Sequence, residues 1–452
     1  MRTLSAMSLL VLLAGCAVYH EKPLDEQAAA ASLEPPPLDR VRVAASSFQH
    51  PLLAPIVISG EDGFTPDEIA VMAVITSPKL RALRSQRGVA QAQVVAAGIL
   101  PNPQLSYTID HPVDPDFINA TNLGLSWEIT SLLSYRDRVA AAKSTAGALD
   151  LVIAWQEWQA AQAARLAAFR VLSLESRLPL AEKTEAAQQE ALDLTRKAFA
   201  RRYKTLPDMA AATESWSVTQ DVVFAIRQEL ITERTNLNLA LGAPPDRVIK
   251  LKAIPIPDFP FGRENAATLM EGMEQRRLDL VALKVGYDSS EANLRAAVKS
   301  QFPKIGLSVS KARDTSDVKT HGFGVTVDIP LFDRGQGQIA VSSATRQQLF
   351  DEYFSRIAEA HVEVVQILDK LSTTRTQLQT LDSEVPELEE LSKALDTAMD
   401  SRNSDAQAAR DARNNLLTRR TEQAKLRQDI LDLGVALEIA TGRPLLSRGG
   451  SN

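Results

Sequence analysis

A single cysteine, Cys16, closes the apolar stretch LLAGC in a chain of 452 residues. A thiol can act as a nucleophile or carry an acyl group, but one alone forms no internal disulfide, so packing must hold this chain together. The five histidines, His20, His50, His111, His321 and His361, are scattered, and none sits in HExxH or another close metal-ligand spacing. His111 with Asp114 and Asp116 could bind a cation weakly, but a polar surface loop is the better account of them. No GxSxG elbow and no GxxxxGKS/T phosphate loop is present. Carboxylates are abundant, but they fall on helical segments whose solvent face explains them. These residues argue against an enzyme, with no catalytic group, metal or cofactor implied. The formal net charge of −6 argues against nucleic-acid binding.

The elements around Cys16 give it a context. Residues 1–15 carry an early Arg2 and then a short apolar run, the layout of a secretory signal peptide. The run is shorter than the roughly 20 residues a membrane-spanning helix needs. Ala14 and Gly15 directly before Cys16 resemble the lipobox of bacterial lipoproteins. That resemblance implies cleavage before Cys16 and acyl chains on its thiol and new amine. An ordinary signal peptide with a chance cysteine is the alternative. Ala17, where such lipoproteins carry Asp for inner-membrane retention, points to the outer membrane of a Gram-negative cell. Residues 16–60 read as a linker, rich in proline (EPPPL, HPLLAP) and aperiodic. Order is expected from Thr65-Pro66, a helix start.

The chain repeats itself at an offset of 200 residues. TNLGLSWEIT at 121 answers HGFGVTVDIP at 321, Pro103 answers Pro303, and ALGAPP at 240 answers ATGRPL at 440. Residues 61–250 and 251–442 are therefore two copies of one unit: helix, β-hairpin, long helix, return helix. A tail, 443–452, follows. The hairpins fall at 104–130 and 304–330. Leu105, Tyr107, Ile109 and Leu123, Leu125, Trp127, Ile129 alternate with polar or small residues, as do Ile305, Leu307, Val309 and Phe323, Val325, Val327, Ile329. Period-two alternation gives each strand one apolar and one polar face. The loops are expected at 110–120 and 311–320.

Such a sheet could pack on helices in water. Alternatively, several chains could each give four strands to a closed membrane barrel, since four strands alone leave edges and a membrane tolerates none. In that arrangement Glu128 and Asp328 face a watery interior and Trp127 the lipid boundary.

The remainder is helical. Residues 134–203 contain one proline, Pro179, and one glycine, Gly147. A helix of about 67 residues would reach about 100 Å. One stripe is small (Val139, Ala142, Ala146, Ile153, Ala160, Ala167) and another large (Leu151, Trp155, Trp158, Leu166, Phe169, Leu172), so this helix packs neighbours on two sides, where a two-stranded coiled coil needs one seam. A second long helix is expected over 336–400, with Pro179 and Pro386 as bends. Return helices over about 208–240 and 406–440 end at Gly242 and Gly442, suited to the left-handed position after a helix.

On these residues the chain resembles the TolC family of bacterial outer-membrane efflux proteins, in its lipoprotein branch, the outer-membrane factors of resistance-nodulation-division (RND) pumps. AAGILPNPQLSYTI, VTVDIPLFDRGQGQIA and the LGxP or TGxP closing each half carry the likeness over about 60–442. The resemblance implies a mixed α/β membrane fold, with four strands per chain completing a trimeric 12-stranded barrel joined to a long helical periplasmic tunnel. It implies a homotrimer in outer-membrane lipid that docks a periplasmic adaptor (membrane fusion) protein and, through it, an inner-membrane RND-type pump, passing drugs or metal cations outward. PLFDRGQG resembles the version seen in many heavy-metal-efflux members, a variant that also occurs outside them. The docking tips fall at 201–208 and 401–411, making Tyr203, Leu206 and Asn403 candidate adaptor contacts, although both turns lack the glycine usual there. Asp411 falls where the family's return helix carries an aspartate of the acidic rings that narrow the tip, and Asp405 lies nearby; both are candidate gate residues, with exposed acids of no function as the alternative. Ordinary capping turns, with Asp208 or Asp405 as caps, remain open. So do two other functions: the outer component of a protein or peptide secretion system, and a periplasmic structural coiled-coil lipoprotein without a pore.

Overall fold

The computed structural model describes residues 18–26, 34–252, 259–400 and 406–445. Cys16, Asn403 and Asp405 lie outside the described residues. The described elements fall into two consecutive series of similar order. The first comprises α2 (Pro66–Thr76), α3 (Pro78–Ala97), β1 (Gln104–Asp110), β2 (Ala120–Glu128), α4 (Ser131–Ala200) and α5 (Leu206–Leu241). The second comprises the short α6 (Ala266–Met270) and α7 (Met273–Arg276), then α8 (Leu278–Lys299), β3 (Lys304–Arg313), β4 (Lys319–Asp328), α9 (Gln336–Asp400) and α10 (Ala406–Thr441). Ahead of both stands α1 (Leu38–Ser46).

Local chemistry sets the boundaries. At α2, Thr65 Oγ1 accepts from the Glu68 N–H at 3.2 Å, and the Glu68 carboxylate accepts from the Thr65 N–H at 2.7 Å, a reciprocal cap with Pro66 in the first turn. At the other end, Gly242 and Gly442 take φ of 62° and 67°. The Gly242 N–H donates to Leu239 and the Ala243 N–H to Asn238, and the Gly442 and Arg443 N–H groups repeat this with Ile439 and Glu438. These bonds satisfy the last carbonyls of α5 and α10. Between them, α4 runs 70 residues and α9 65 residues, each continuing through its proline, Pro179 or Pro386. At 1.5 Å per residue both are about 100 Å long.

α4 is the spine. Beside the strands it is flanked by α3 and α8, and α8 in turn meets α9. Farther away it pairs with α5, as α9 pairs with α10. The core thickens midway. There Ile69 and Ala73 of α2 pack with Ala164, Ala168, Leu237 and Leu241, while Met273, Leu368, Leu437 and Ala440 form a counterpart in the second copy. Both sequence stripes enter these cores, with Ile153, Trp155, Trp158, Ala167 and Phe169 all buried.

Residues 34–60 are not a plain tether. Val41, Ala45 and Ile58 are buried against Val71. The imidazole of His50 is 2% exposed. Its Nε2 bonds the Ala154 carbonyl at 2.9 Å and its Nδ1 accepts from the Leu52 and Leu53 N–H groups, which fixes the proton on Nε2 in the neutral ring. Burial holds the His50 pKa below its ordinary value, the favourable bond to Ala154 and the charge on Glu157 notwithstanding.

Candidate functional site

The four strands form one antiparallel sheet in the order β1-β2-β3-β4, with β1 and β4 at its edges. The registers align the alternation across all four strands. Leu105 faces Leu125, Leu125 faces Val309, and Val309 faces Phe323. Trp127, Leu307 and Val325 make the next row, Ile305 and Val327 the last beside the helices. A two-residue side-chain period places these on one side of the sheet. That apolar face is open: Leu105 is 73% and Phe323 72% exposed. A continuous, unpartnered apolar sheet face is costly in water and marks contact with lipid or protein. Near the helical end, Trp127 Nε1 donates to the Pro101 carbonyl at 2.8 Å, so the indole has an apolar body and a satisfied polar edge.

The opposite face is small and polar. Its central row reads Ser106, Gly124, Ser310, Gly322 across the four strands. Each serine hydroxyl leans over a glycine. A Cβ on Gly124 would lie 2.6 Å from Ser106 Oγ, one on Gly322 2.7 Å from Ser310 Oγ, and one on Gly324 2.6 Å from Ser308 Oγ. Glu128 and Asp328 stand on this face at its helical end. Asp328 lies opposite Lys304. The Glu128 carboxylate accepts from the Ser131 N–H at 3.0 Å, so it also caps α4, a role legible in the spacing of Glu128 to Ser131.

At the far end of the sheet the strands outrun the expected loop. The polar stretch 311–320 reads as a loop by composition, yet Lys311–Arg313 and Lys319–Thr320 pair within the sheet and leave only residues 314–318 as the turn. Asp314 makes that turn, its Oδ1 accepting from the Ser316 and Val318 N–H groups at 2.9 Å each. Cross-strand bonding outweighs side-chain polarity here.

The other end of the molecule holds the α4–α5 turn. Arg202 takes φ of 64°. Its N–H donates to Phe199 and that of Tyr203 to Ala198, the same closure that Gly242 and Gly442 make, here with an arginine in the left-handed place. Thr205 is the helix cap, and Asp208 acts three residues in as its reciprocal partner and is not the cap itself. Hydrogen bonds from the Thr205 N–H and hydroxyl hold the Asp208 carboxyl below the usual range. The turn presents Tyr203, 80% exposed, and Leu206, 68% exposed. Asp411, on α10, is exposed and has no ion pair among the described residues.

Charged pairs tie each long helix to its return helix. Arg234 meets Glu175 at 2.7 Å and Arg227 meets Glu182 at 2.8 Å between α4 and α5. Arg413 meets Asp396 at 2.7 Å, Arg427 meets Asp382 at 3.2 Å, and Arg420 meets Glu389 between α9 and α10. Such exposed pairs contribute little individually and set register more than stability. Among the described residues, no helix is long and apolar enough to cross a membrane, and no group of three or more His, Cys, Asp or Glu could hold a metal ion.

Residues 269–443 match the family model of outer membrane efflux proteins. The cobalt-zinc-cadmium resistance protein CzcC of Cupriavidus metallidurans is 22% identical over 302 residues, which is 65% of this chain and 69% of CzcC. Among solved structures, CusC, described for its conformational changes on folding and transmembrane channel formation, aligns over 88% of this chain and 99% of its own, with a TM-score of 0.66 and 17% identity. The open state of the MtrE outer membrane channel of Neisseria gonorrhoeae covers 88% of this chain and 94% of its own, with a TM-score of 0.67 and 16% identity.

Proposed function

We propose that this chain, a TolC-family outer-membrane channel protein by its fold and by the family match over its second copy, is the exit duct of a tripartite efflux system. The observation that carries the reading is the sheet: one face apolar and open, the other polar and small, and both edges unpaired. Four strands cannot close on themselves, and a lipid-facing sheet must have no edge. A homotrimer resolves this by joining β4 of each chain to β1 of the next in a 12-stranded barrel. Its outside is then apolar and its interior polar, with Glu128 and Asp328 at the inner mouth of the lumen.

The helices continue the barrel as a tunnel into the periplasm, with the Tyr203 turn at the far tip. Tyr203, Leu206 and Asn403 would meet a periplasmic adaptor, and the adaptor an inner-membrane RND-type pump. Asp405 and Asp411, tripled by symmetry, would narrow the tip as a gate that attracts cations. Cys16 would carry the N-terminal lipid of an outer-membrane lipoprotein. The likeness to a cobalt-zinc-cadmium resistance protein favours metal cations over drugs as cargo. The likeness to channel structures along nearly the whole chain weighs against a coiled-coil lipoprotein without a pore.

Purified full-length protein in detergent tests this. The expected results are a trimeric mass and steady ion conductance in planar bilayers. A monomer that stays in water without detergent once its lipid is removed would overturn the reading.

A further inference from the structure

The apolar face changes character at the end of the sheet remote from the helices, and only in the second hairpin. Continuing its rows past Val309 and Phe323 brings Lys311 opposite His321, then Arg313 opposite Lys319. The register puts these four on the same side of the sheet as Leu105, Leu125 and Val325. All four are exposed. The first hairpin contributes Tyr107 and Leu123 to the first of these rows and Ile109 and Thr121 to the second, and it contains no Lys or Arg at all.

Like charges directly opposite one another in a sheet repel. One carboxylate answers them, Asp317, paired with Arg313 at 2.6 Å. Asp314 adds a second negative charge at the turn, where its carboxylate accepts from the Ser316 and Val318 N–H groups. If β4 joins β1 of the next chain, that strand brings Leu105, Tyr107 and Ile109 to this side and no acid. Among the paired strand residues on this side there is no acid, and neither Lys311 nor Lys319 has an ion pair among the described residues, although Asp314 and Asp317 lie at the turn.

The level of this patch identifies what meets it. From Ile305, six residues to Lys311 and eight to Arg313 span about 20 and 26 Å along a strand. At the tilt of a membrane barrel this is a rise of about 15–20 Å, near the upper margin of an apolar band about 25 Å tall. The bacterial outer membrane is thinner than average, which brings the margin closer still. The turn end is the outer end, because the helices occupy the other.

We propose that Lys311, Arg313, Lys319 and His321 form an outward-facing cradle for the phosphate groups of a phosphorylated glycolipid in the outer leaflet. Guanidinium and ammonium donors suit phosphate oxygens, and the apolar rows beneath, Leu125, Val309 and Phe323, suit acyl chains. The inference rests on the barrel reading above and adds a lipid partner to it.

The test uses the full-length protein in detergent, with retained lipid read by native mass spectrometry. The probes are diphosphorylated lipid A, fully dephosphorylated lipid A and inorganic phosphate. The protein is expected to retain the diphosphorylated form selectively and to keep it in millimolar inorganic phosphate. The triple variant Lys311→Gln, Arg313→Gln, Lys319→Gln should weaken that retention at least about tenfold, while Lys304→Gln, on the polar face, should leave it unchanged. If the triple variant fails to assemble, Lys311→Gln and Lys319→Gln singly should each show a partial loss. Equal retention of the two lipid forms, or release by inorganic phosphate, overturns the proposal. Trimer mass and conductance are recorded on the same samples. If they hold and the lipid forms are not distinguished, the cradle alone is wrong; if they fail, the barrel reading falls and the cradle with it.

Discussion

The two copies end their return helices at the same backbone conformation and brace it differently. A Cβ on Gly242 would lie 2.7 Å from Pro78 Cδ, and one on Gly442 would lie 2.8 Å from Arg277 Cγ and 3.1 Å from its Cα. In the first copy the neighbour is a proline opening α3. In the second it is a fully buried arginine. Arg277 donates to both Asp279 oxygens, at 3.0 and 2.7 Å, and to the Ala440 carbonyl at 3.1 Å, and its guanidinium lies 5.3 Å from the Trp155 ring of the first copy. The buried ionisable group of the first copy lies elsewhere: the imidazole of His50, brought by the N-terminal segment to Ala154 and within 3.7 Å of Glu157, which also pairs with Arg84 at 2.6 Å. The close approach of helix end to helix start is what the fold demands. The residue that fills it differs between the two series: an uncharged proline ring in the first and a permanently charged arginine in the second.

The strongest way to break this comparison is Arg277→Met. It keeps much of the volume, leaves Asp279 with only the Arg356 guanidinium at 3.3 Å and leaves the Ala440 carbonyl unanswered, a loss of about 3 kcal/mol, the low end for broken buried pairs. A fall in the denaturant midpoint of the detergent-solubilised protein measures it. A variant as stable as the parent would mean that the charge is incidental to the second copy.

Next come the paired substitutions Gly442→Ala and Gly242→Ala. Each places a side chain in the left-handed region, at about 1–2 kcal/mol, and each adds a contact too close to keep. Gly442→Ala should cost more, because it presses on the backbone of Arg277 while Gly242→Ala presses chiefly on a proline ring. The reverse order of denaturant midpoints would show that ring to be the stiffer wall.

The smallest effect sharpens the contrast between the two buried groups, Arg277 and His50. Because the folded pKa of His50 is lowered, the unfolded chain takes up the proton first. The stability contributed is complete above the unfolded value of 6.5 and declines as pH falls below it toward the folded pKa. Glu157 and Arg84, which face the ring, pull in opposite directions. Midpoints at pH 7.5 and 5.5 should differ in the parent and differ less in His50→Asn, whose side-chain oxygen can still accept from Leu52 and Leu53. An unchanged difference would place the titration elsewhere.

Much of this architecture was legible because it is written in local periods. The 200-residue offset, the two-residue alternation of 105–109 and 323–329, and the glycines at 242 and 442 each report a backbone state that one segment imposes on itself. What was not legible depended on a distant partner. Lys311–Arg313 read as loop until β4 supplied their pairing, so the outward cations were hidden inside an expected turn. Residues 38–46 read as linker because their apolar face makes sense only against Val71 and the core around it. His50 looked isolated in sequence because Ala154 and Glu157 are over 100 positions away. In the α4–α5 turn, Tyr203 and Leu206 were named from position alone and are exposed, and Arg202 takes the left-handed place that closes the turn.

The interlocked serine and glycine row has a consequence for traffic. If the polar face lines the duct, the wall between its two ends is smooth on the scale of a solute. Beyond Gln104 and Lys304 toward the helical end no long side chain protrudes, and the serine hydroxyls already rest over neighbouring glycines. A cation or drug in that stretch finds no ledge on which to dwell, so the barrel would act as a low-friction sleeve. Any choosing among cargoes, and any resistance to backflow, would then have to be exerted at the tip or by the pump that feeds it.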